Sequence, residues 1–333
     1  MRILILGGTR FLGRAFVEEA LAAGNSVTTF NRGMSGADLP GVEGIRGDRE
    51  RTANLKRLAT MGPWDAIVDT SGYVPTIVGA SARELAGQAD AYLFVSSASA
   101  SADWPGESVD ESSPIHQCDP DSMEIEYGPA KAGCERAAER YFPGRILTFR
   151  CGIVLGPHEN IGRLTFWLGR IGRGGRVLAP GDGEIKMQLI DVRDVARFGL
   201  HCVKLGLSGA FMVAGPQGNA TYESWLSQCV AVTESSAELV WVDDEFLLEH
   251  HVEPWTELPL WVPRKTGGHD ATWQIRIDRA LQAGMTSRPV ADTVRDTWAV
   301  MRTGGDPQFR PQIPPLGIDP FKERALLDAW YAR

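Results

Sequence analysis

The chain of 333 residues is 43% hydrophobic and 23% charged, which suits one large or two ordinary globular domains and excludes a disordered or fibrous protein. A formal net charge of -8 lacks the electrostatic footprint of a protein that neutralises many phosphates, so nucleic acid is excluded as a default partner. No apolar stretch approaches the roughly 20 residues of a membrane span, and the first apolar run is too short for a signal segment, so a soluble, cytoplasmic protein with no membrane partner is expected. Five cysteines, an odd number with no C-x-x-C pair, argue for reduced and largely buried thiols. Six histidines, only His250 and His251 adjacent, supply no metal-ligand spacing, and no metal is expected.

Taken in order, the chain opens on Ile3-Leu4-Ile5-Leu6, which predicts a buried parallel strand that breaks on Gly7 and Gly8 before Phe11, Leu12, Phe16, Val17 and Leu21 take up helical spacing. A strand, a glycine turn and a helix point free backbone N–H groups and the positive end of a helix dipole at one spot, an anion site suited to a dinucleotide pyrophosphate. The stretch Gly7-Gly8-Thr9-Arg10-Phe11-Leu12-Gly13 is the expected cofactor wall, with Arg10 where a middle glycine would stand; a tight turn in any α/β fold is the other reading. A second strand over residues 26–30 ends in Asn31-Arg32-Gly33, about 20 residues beyond the glycine turn, where such folds meet the adenosine ribose. An NAD site would carry a carboxylate there. Asn31 and Arg32, with Arg10 as a second cation, predict NADP(H) over NAD(H), because a guanidinium grips a 2'-phosphate with two hydrogen bonds.

Asp48, in Gly47-Asp48-Arg49, falls where a carboxylate meets the adenine or, equally, on a surface loop. A strand over residues 65–69 runs into Thr70, Ser71 and Gly72, small enough for a cofactor to pass close to the backbone. Another, over residues 91–95, ends in Ser96-Ser97-Ala98-Ser99. Strands alternating with helical patterns at this spacing predict a Rossmann-like α/β fold with a doubly wound parallel sheet, whose ligands gather outside the strand carboxyl ends. Gly7 and Ser97 both fall there.

Thirty residues after Ser97, Tyr127-Gly-Pro-Ala-Lys131 opens an alanine-rich helix that continues through Arg140. Pro129 fits a first turn, and positions i and i+4 put Tyr127 and Lys131 on one face. A phenol is a weak base at neutral pH, and an ammonium nearby together with a positive nicotinamide favours its ionised form. A serine hydroxyl at a neighbouring strand end can then bind the substrate oxygen while tyrosine moves the proton and hydride passes to or from nicotinamide.

With these residues in place the chain resembles the short-chain dehydrogenase/reductase superfamily, in its extended or atypical branch, the NAD-dependent epimerase/dehydratase family. The resemblance rests on Gly7 to Gly13, Ser96-Ser97, Tyr127 to Lys131 with Glu135, Arg150 followed by Gly156-Pro157, and Asp191-Val-Arg-Asp194. It implies Tyr127 as acid/base, Lys131 as its partner and a ligand of the cofactor ribose, and Ser97 as the hydroxyl that polarises the substrate oxygen. It further implies a nucleotide-binding domain over residues 1–155 and about 190–215, and a smaller, mixed substrate domain over 156–189 and 216–333, with the strand near Gly209 returning to the sheet. Ala98-Ser99 replace the Asp-Glu pair of the family's dehydratases and cannot transfer the protons of an elimination. Ile153 and Leu155 replace the polar residues that nucleotide-sugar members carry. The resemblance implies an NADP(H)-dependent reductase or dehydrogenase acting on a small carbonyl or alcohol, with a sugar epimerase as the alternative; the Arg10 variant of the turn is shared with RNA-binding relatives, which opens a non-enzymatic reading.

On the substrate side, Ser99, Gln188, Trp255 and His269 are the candidate lining, with Trp261 and the Thr266-Gly-Gly-His269 loop beside them. Arg170, Arg173 and Arg176 form either an anion cluster or one solvated helix face. The proline-punctuated stretch from Gln312 to Phe321 leads into a terminal helix over residues 322–331, a docked arm that folds back over the first domain or caps a second copy in a homodimer.

Overall fold

The computed structural model of the chain describes residues 1–264, 267–304 and 315–333. In chain order the elements are β1 Arg2–Leu6, α1 Phe11–Ala22, β2 Ser26–Asn31, β3 Glu43–Arg46, α2 Thr52–Ala59, β4 Trp64–Asp69, α3 Pro75–Glu84, β5 Ala89–Ser97, α4 Tyr127–Tyr141, β6 Arg145–Cys151 and β7 Ile153–Leu155. There follow α5 Arg163–Gly172, β8 Gly175–Pro180, β9 Lys186–Met187, β10 Leu189–Asp191, α6 Val192–Lys204, β11 Gly209–Val213, β12 Ala220–Thr221 and α7 Tyr222–Thr233. The chain closes with β13 Ala237–Val242, α8 Asp244–Glu249, α9 Asp278–Gln282, α10 Val290–Arg302 and α11 Pro320–Tyr331.

Seven strands form one sheet in the order β11-β6-β5-β4-β1-β2-β3, parallel throughout. The aliphatic run of β1 explains its central place: Ile3, Leu4, Ile5 and Leu6 are all buried, because a parallel strand between two helical layers has no solvent face. Ile3 and Ile5 pack with Phe16 and Val17 of α1 and Val195 and Phe198 of α6 on one face. Leu4 and Leu6 pack with Leu55, Val78, Cys134 and Ala138 from α2, α3 and α4 on the other. The chain runs outward from β1 through β2 to β3 and then returns to the other side of β1 as β4, so the carboxyl ends of β1 and β4 flank the crevice where a doubly wound sheet takes its ligand.

A second core collects Trp167, Trp225 and Trp261, all fully buried, with β8, β13 and α7 around them. Residues from Ile275 to Met285 pack instead into the core of the sheet. The terminal helix α11 docks on the second core through Leu326 and Leu327 and not on the sheet layer. Residues 312–314 of the stretch leading to it, and Thr266 of the loop before His269, lie outside the described residues. Among the described residues no helix is long and apolar enough to cross a membrane.

Candidate active site

The glycine turn is built as close packing requires. Gly7 and Gly8 sit at φ +114° and +104°, where a side chain is strained. A Cβ on Gly7 would lie 2.8 Å from Thr70 Oγ1, one on Gly8 2.6 Å from Thr29 Cγ2, and one on Gly13 2.6 Å from the Gly8 nitrogen. All three close approaches draw the start of α1 tightly against the ends of β1, β2 and β4, the packing that a cradle for a pyrophosphate on a helix N-terminus needs. Phe11 opens α1 buried, and Leu12 packs against the same core. Thr9 Oγ1 shares a 2.8 Å hydrogen bond with Ser35 Oγ, and Arg10 Nε donates to the Ser35 carbonyl at 3.4 Å, so the 33–37 loop lies over the turn.

At the end of β2 the Asn31 amide is engaged: Nδ2 donates to Asp38 Oδ1 at 2.9 Å, and Oδ1 accepts from Arg46 Nη1 and the Gly33 N–H, each at 2.9 Å. Burial would raise the Asp38 carboxyl, but hydrogen bonds from Arg46, Asn31 and Thr29 win and hold it below its ordinary value. Arg32 is exposed beside this cluster. Asp48 Oδ1 accepts from the Glu50 N–H at 3.0 Å, shaping the turn after β3. Nothing in the sequence marks Asp38 and Arg46 for this role: an acid seven residues beyond a strand end gives no local indication that it folds back onto that strand.

The loop after β4 binds the turn from the other side. Thr70 Oγ1 and Ser71 Oγ both donate to the Leu6 carbonyl, at 3.2 and 3.1 Å, and the Gly72 carbonyl accepts from Lys131 Nζ at 2.9 Å. Lys131 also donates to the Val95 carbonyl at 2.8 Å, and its Nζ lies 4.8 Å from the centroids of the Tyr73 and Phe94 rings. Its side chain runs along the buried stripe of α4 that includes Ala130, Cys134 and Ala138, which carries a charged group inward to the strand ends. Two of its three N–H donors thus go to backbone carbonyls.

Tyr127 is the first residue of α4 and is half-exposed, at 49%. The next residue, Gly128, lies against the 3-10 turn Ala98–Ala100: a Cβ there would be 2.5 Å from the Ser99 carbonyl and 3.1 Å from His116 Nε2. That turn is held by Ser97, whose Oγ accepts from the Ser99 N–H and donates to Ser99 Oγ, both at 3.2 Å. The first turn of α4 and the end of β5 are therefore packed together. Beneath them Glu135 accepts from Ser96 Oγ at 2.5 Å and from Arg150 Nη2 at 2.8 Å, a buried network that fixes α4 across β5 and β6. Gly7 to Gly13, the 70–72 loop, Ser97 and Lys131 thus meet at the carboxyl ends of the central strands β1, β4 and β5.

The substrate candidates fare unevenly. The Gln188 amide is fully committed: Nε2 donates to the Gly215 and Ile275 carbonyls at 2.9 and 2.7 Å, and Oε1 accepts from the Ile275 N–H at 2.9 Å. Trp255 is half-buried and stands 6.4 Å, ring to ring, from Trp273, while Trp261 is core, with Nε1 on Asp244 Oδ1 at 2.8 Å. His269 is exposed. Ile153 and Leu155 are buried in the second core. Arg170 pairs with Glu323 at 2.6 Å and Arg176 with Asp328 at 3.0 Å, so two of the three arginines clamp α11. His158, not singled out by the sequence reading, sits at φ +63°, and burial followed by the charge of Arg14 lowers its pKa.

The comparisons with known proteins agree with this architecture. The family model described as NAD dependent epimerase/dehydratase matches residues 3–214. The UDP-glucose 4-epimerase of Thermotoga maritima, solved with UDP-glucose, superposes with a TM-score of 0.67 at 17% identity, covering 92% of this chain and 100% of the other. The Bordetella bronchiseptica enzyme WbmH, solved with NAD+, gives 0.68 at 16% identity, over 91% and 99% of the two chains. The dTDP-glucose 4,6-dehydratase of Bacillus anthracis gives 0.65 at 15%, over 93% and 99%. Comparison with curated protein sequences finds no match. At these identities the solved structures share the fold, and the family match over most of the sheet-forming chain, with the glycine cradle and the buried helix lysine, makes the protein a member of the NAD-dependent epimerase/dehydratase family of enzymes.

Proposed function

We propose that the protein is an NADP(H)-preferring oxidoreductase that reduces a carbonyl, or oxidises an alcohol, of a small-molecule substrate held at Ser97, Tyr127 and Lys131, as a soluble, cytoplasmic enzyme. The observation that carries this is Lys131: an ammonium buried at the carboxyl ends of β4 and β5 between the Gly72 and Val95 carbonyls, one helical turn from a half-exposed phenol. A purely structural helix lysine has no reason to bear that desolvation. The Gly7 to Gly13 cradle fits a pyrophosphate, and the third Lys131 N–H faces a ribose hydroxyl in this reading. When bound, the nicotinamide takes up or supplies the hydride. Ser97 Oγ donates to the substrate oxygen, Tyr127 delivers or removes its proton, and the small side chains of Ala98 and Ser99 leave no acid/base pair for elimination. Arg32, exposed beside Asn31, and Arg10 would take the 2'-phosphate.

A transient form of the same chemistry, epimerisation of a sugar with retained cofactor, has support from the solved epimerases that bind UDP-glucose and NAD. The burial of Ile153 and Leu155 in the second core weighs against a nucleotide-sugar substrate. The RNA-binding reading leaves the buried lysine unused. The test is a Tyr127→Phe variant assayed for NADPH oxidation against a panel of aldehydes and ketones, with NADPH and NADH titrated into the parent and into Arg32→Ala. A Tyr127→Phe enzyme as fast as the parent would overturn the catalytic assignment; equal affinity for both cofactors would overturn the preference.

A further inference from the structure

Arg49 follows Asp48 at the adenosine end of the crevice, yet its guanidinium turns inward. Its Nη1 and Nη2 donate to Asp69 Oδ1 and Oδ2, both at 2.7 Å, and its side chain is only 12% exposed, against a fully buried carboxylate. Nη1 also donates to Ser71 Oγ at 2.9 Å, and Nε to Ser81 Oγ on α3 at 3.2 Å. Asp69 accepts two further bonds, from Tyr92 Oη at 2.7 Å and from the Ser71 N–H at 3.0 Å. Burial would raise the Asp69 carboxyl, but the charge and hydrogen bonds of Arg49, with those of Tyr92 and Ser71, hold it below the usual carboxylate range. Ser71 Oγ then donates to the Leu6 carbonyl, the last of β1 before Gly7, and the neighbouring Gly72 carbonyl receives Lys131 Nζ. One ion pair therefore ties the loop after β3 to the end of β4 and, through Ser71 and the adjoining Gly72, to the start of the glycine turn and the helix lysine.

We propose that Arg49 and Asp69 are positioning residues for the dinucleotide: they set the 69–72 loop against the Gly7 turn and hold the Gly72 carbonyl where it fixes Lys131. This rests on the cofactor reading above. A buried pair serving stability alone is often replaced by apolar residues of similar volume with little loss, whereas replacing a pair that positions a loop should shift the loop and what the loop binds. The test is the double variant Arg49→Met/Asp69→Leu, with NADPH and NADH as probes in calorimetric titration and folding followed by near-ultraviolet circular dichroism at the same temperature. The expected result is a folded protein whose affinity for the preferred cofactor falls by about tenfold or more, the scale on which a displacement of an ångström acts. A folded double variant that binds as the parent does would reduce the pair to a structural one and overturn the proposal. Should the double variant not fold, Ser71→Ala decides: it removes only the hydroxyl that joins Arg49 to Leu6, and unchanged cofactor affinity in it overturns the proposal, while a several-fold loss supports it. A parent that binds neither nucleotide would instead overturn the cofactor reading itself, which separates the two failures.

Discussion

Two helical glycines carry opposite expectations for the same substitution. Gly169 lies inside α5, and a Cβ there would find only Met301 Cε, at 4.0 Å. Gly169→Ala should therefore gain most of the helix-propensity difference, about 0.5–1 kcal/mol, with a melting temperature about 1–3 °C higher. Gly13 lies in the first turn of α1, and its Cβ would meet the Gly8 nitrogen at 2.6 Å, Thr70 Oγ1 at 2.9 Å and Gly8 Cα at 3.0 Å. Two of those three atoms are backbone and cannot rotate away. Overpacking of that kind costs about 1–3 kcal/mol, so after the propensity gain Gly13→Ala should be destabilised by about 0–2 kcal/mol. The larger effect falls on function: the Gly8 N–H must move to admit the methyl group, and NADPH affinity should drop about tenfold or more. Differential scanning fluorimetry and calorimetric titration of both variants give the comparison. If Gly13→Ala melts with Gly169→Ala and binds NADPH like the parent, the turn is not a phosphate cradle.

Three further outcomes are expected. Glu323→Ala leaves Arg170 and the Leu178 N–H without their partner, at 2.6 and 3.1 Å in the parent, and should cost about 3 kcal/mol in urea unfolding and expose α11 to limited proteolysis. His158, whose pKa is lowered by burial and by Arg14, binds fewer protons folded than unfolded, so its contribution is lost as pH falls below its ordinary 6.5. His158→Asn, tolerated at positive φ, should flatten the acid limb of a stability–pH curve between about pH 5 and 7; an unchanged slope would show that the ring does not titrate there. Cys118, half-buried, should react with maleimide in the native protein well ahead of Cys134 and Cys151, whose thiols burial pushes up to about 12; mass spectrometry after brief labelling reads the order.

The sheet was legible because its signals are local. Four aliphatic residues, two glycines and a helical stripe announce β1, the turn and α1, and Lys131 four places after Tyr127 announces an inward-facing charge at the head of α4. The ribose end was less legible, since Asn31 is paired with Asp38 and Arg46, residues whose return to β2 depends on a loop fold. Gln188 is buried, yet its amide meets Ile275, 87 positions away, instead of facing a ligand. The arginines after residue 169 show the same limit: their spacing says which way they point, and Glu323, 153 residues later, says why. An acid at a buried strand end, Asp69, was the available sign that a cation had to be found for it, and Arg49 was that cation.

The Gln188 amide pairs with Ile275 as a backbone peptide would, donating to its carbonyl and accepting from its N–H, and Asn219 does the same to Leu189, at 2.7 and 3.0 Å. Two side chains thus complete ladders that the strands leave unfinished, and they stitch the segment before β10 to the sheet layer. Parting the segment before β10 from the sheet layer would break the Gln188–Ile275 pair, donor and acceptor together, so the seam resists opening at this place.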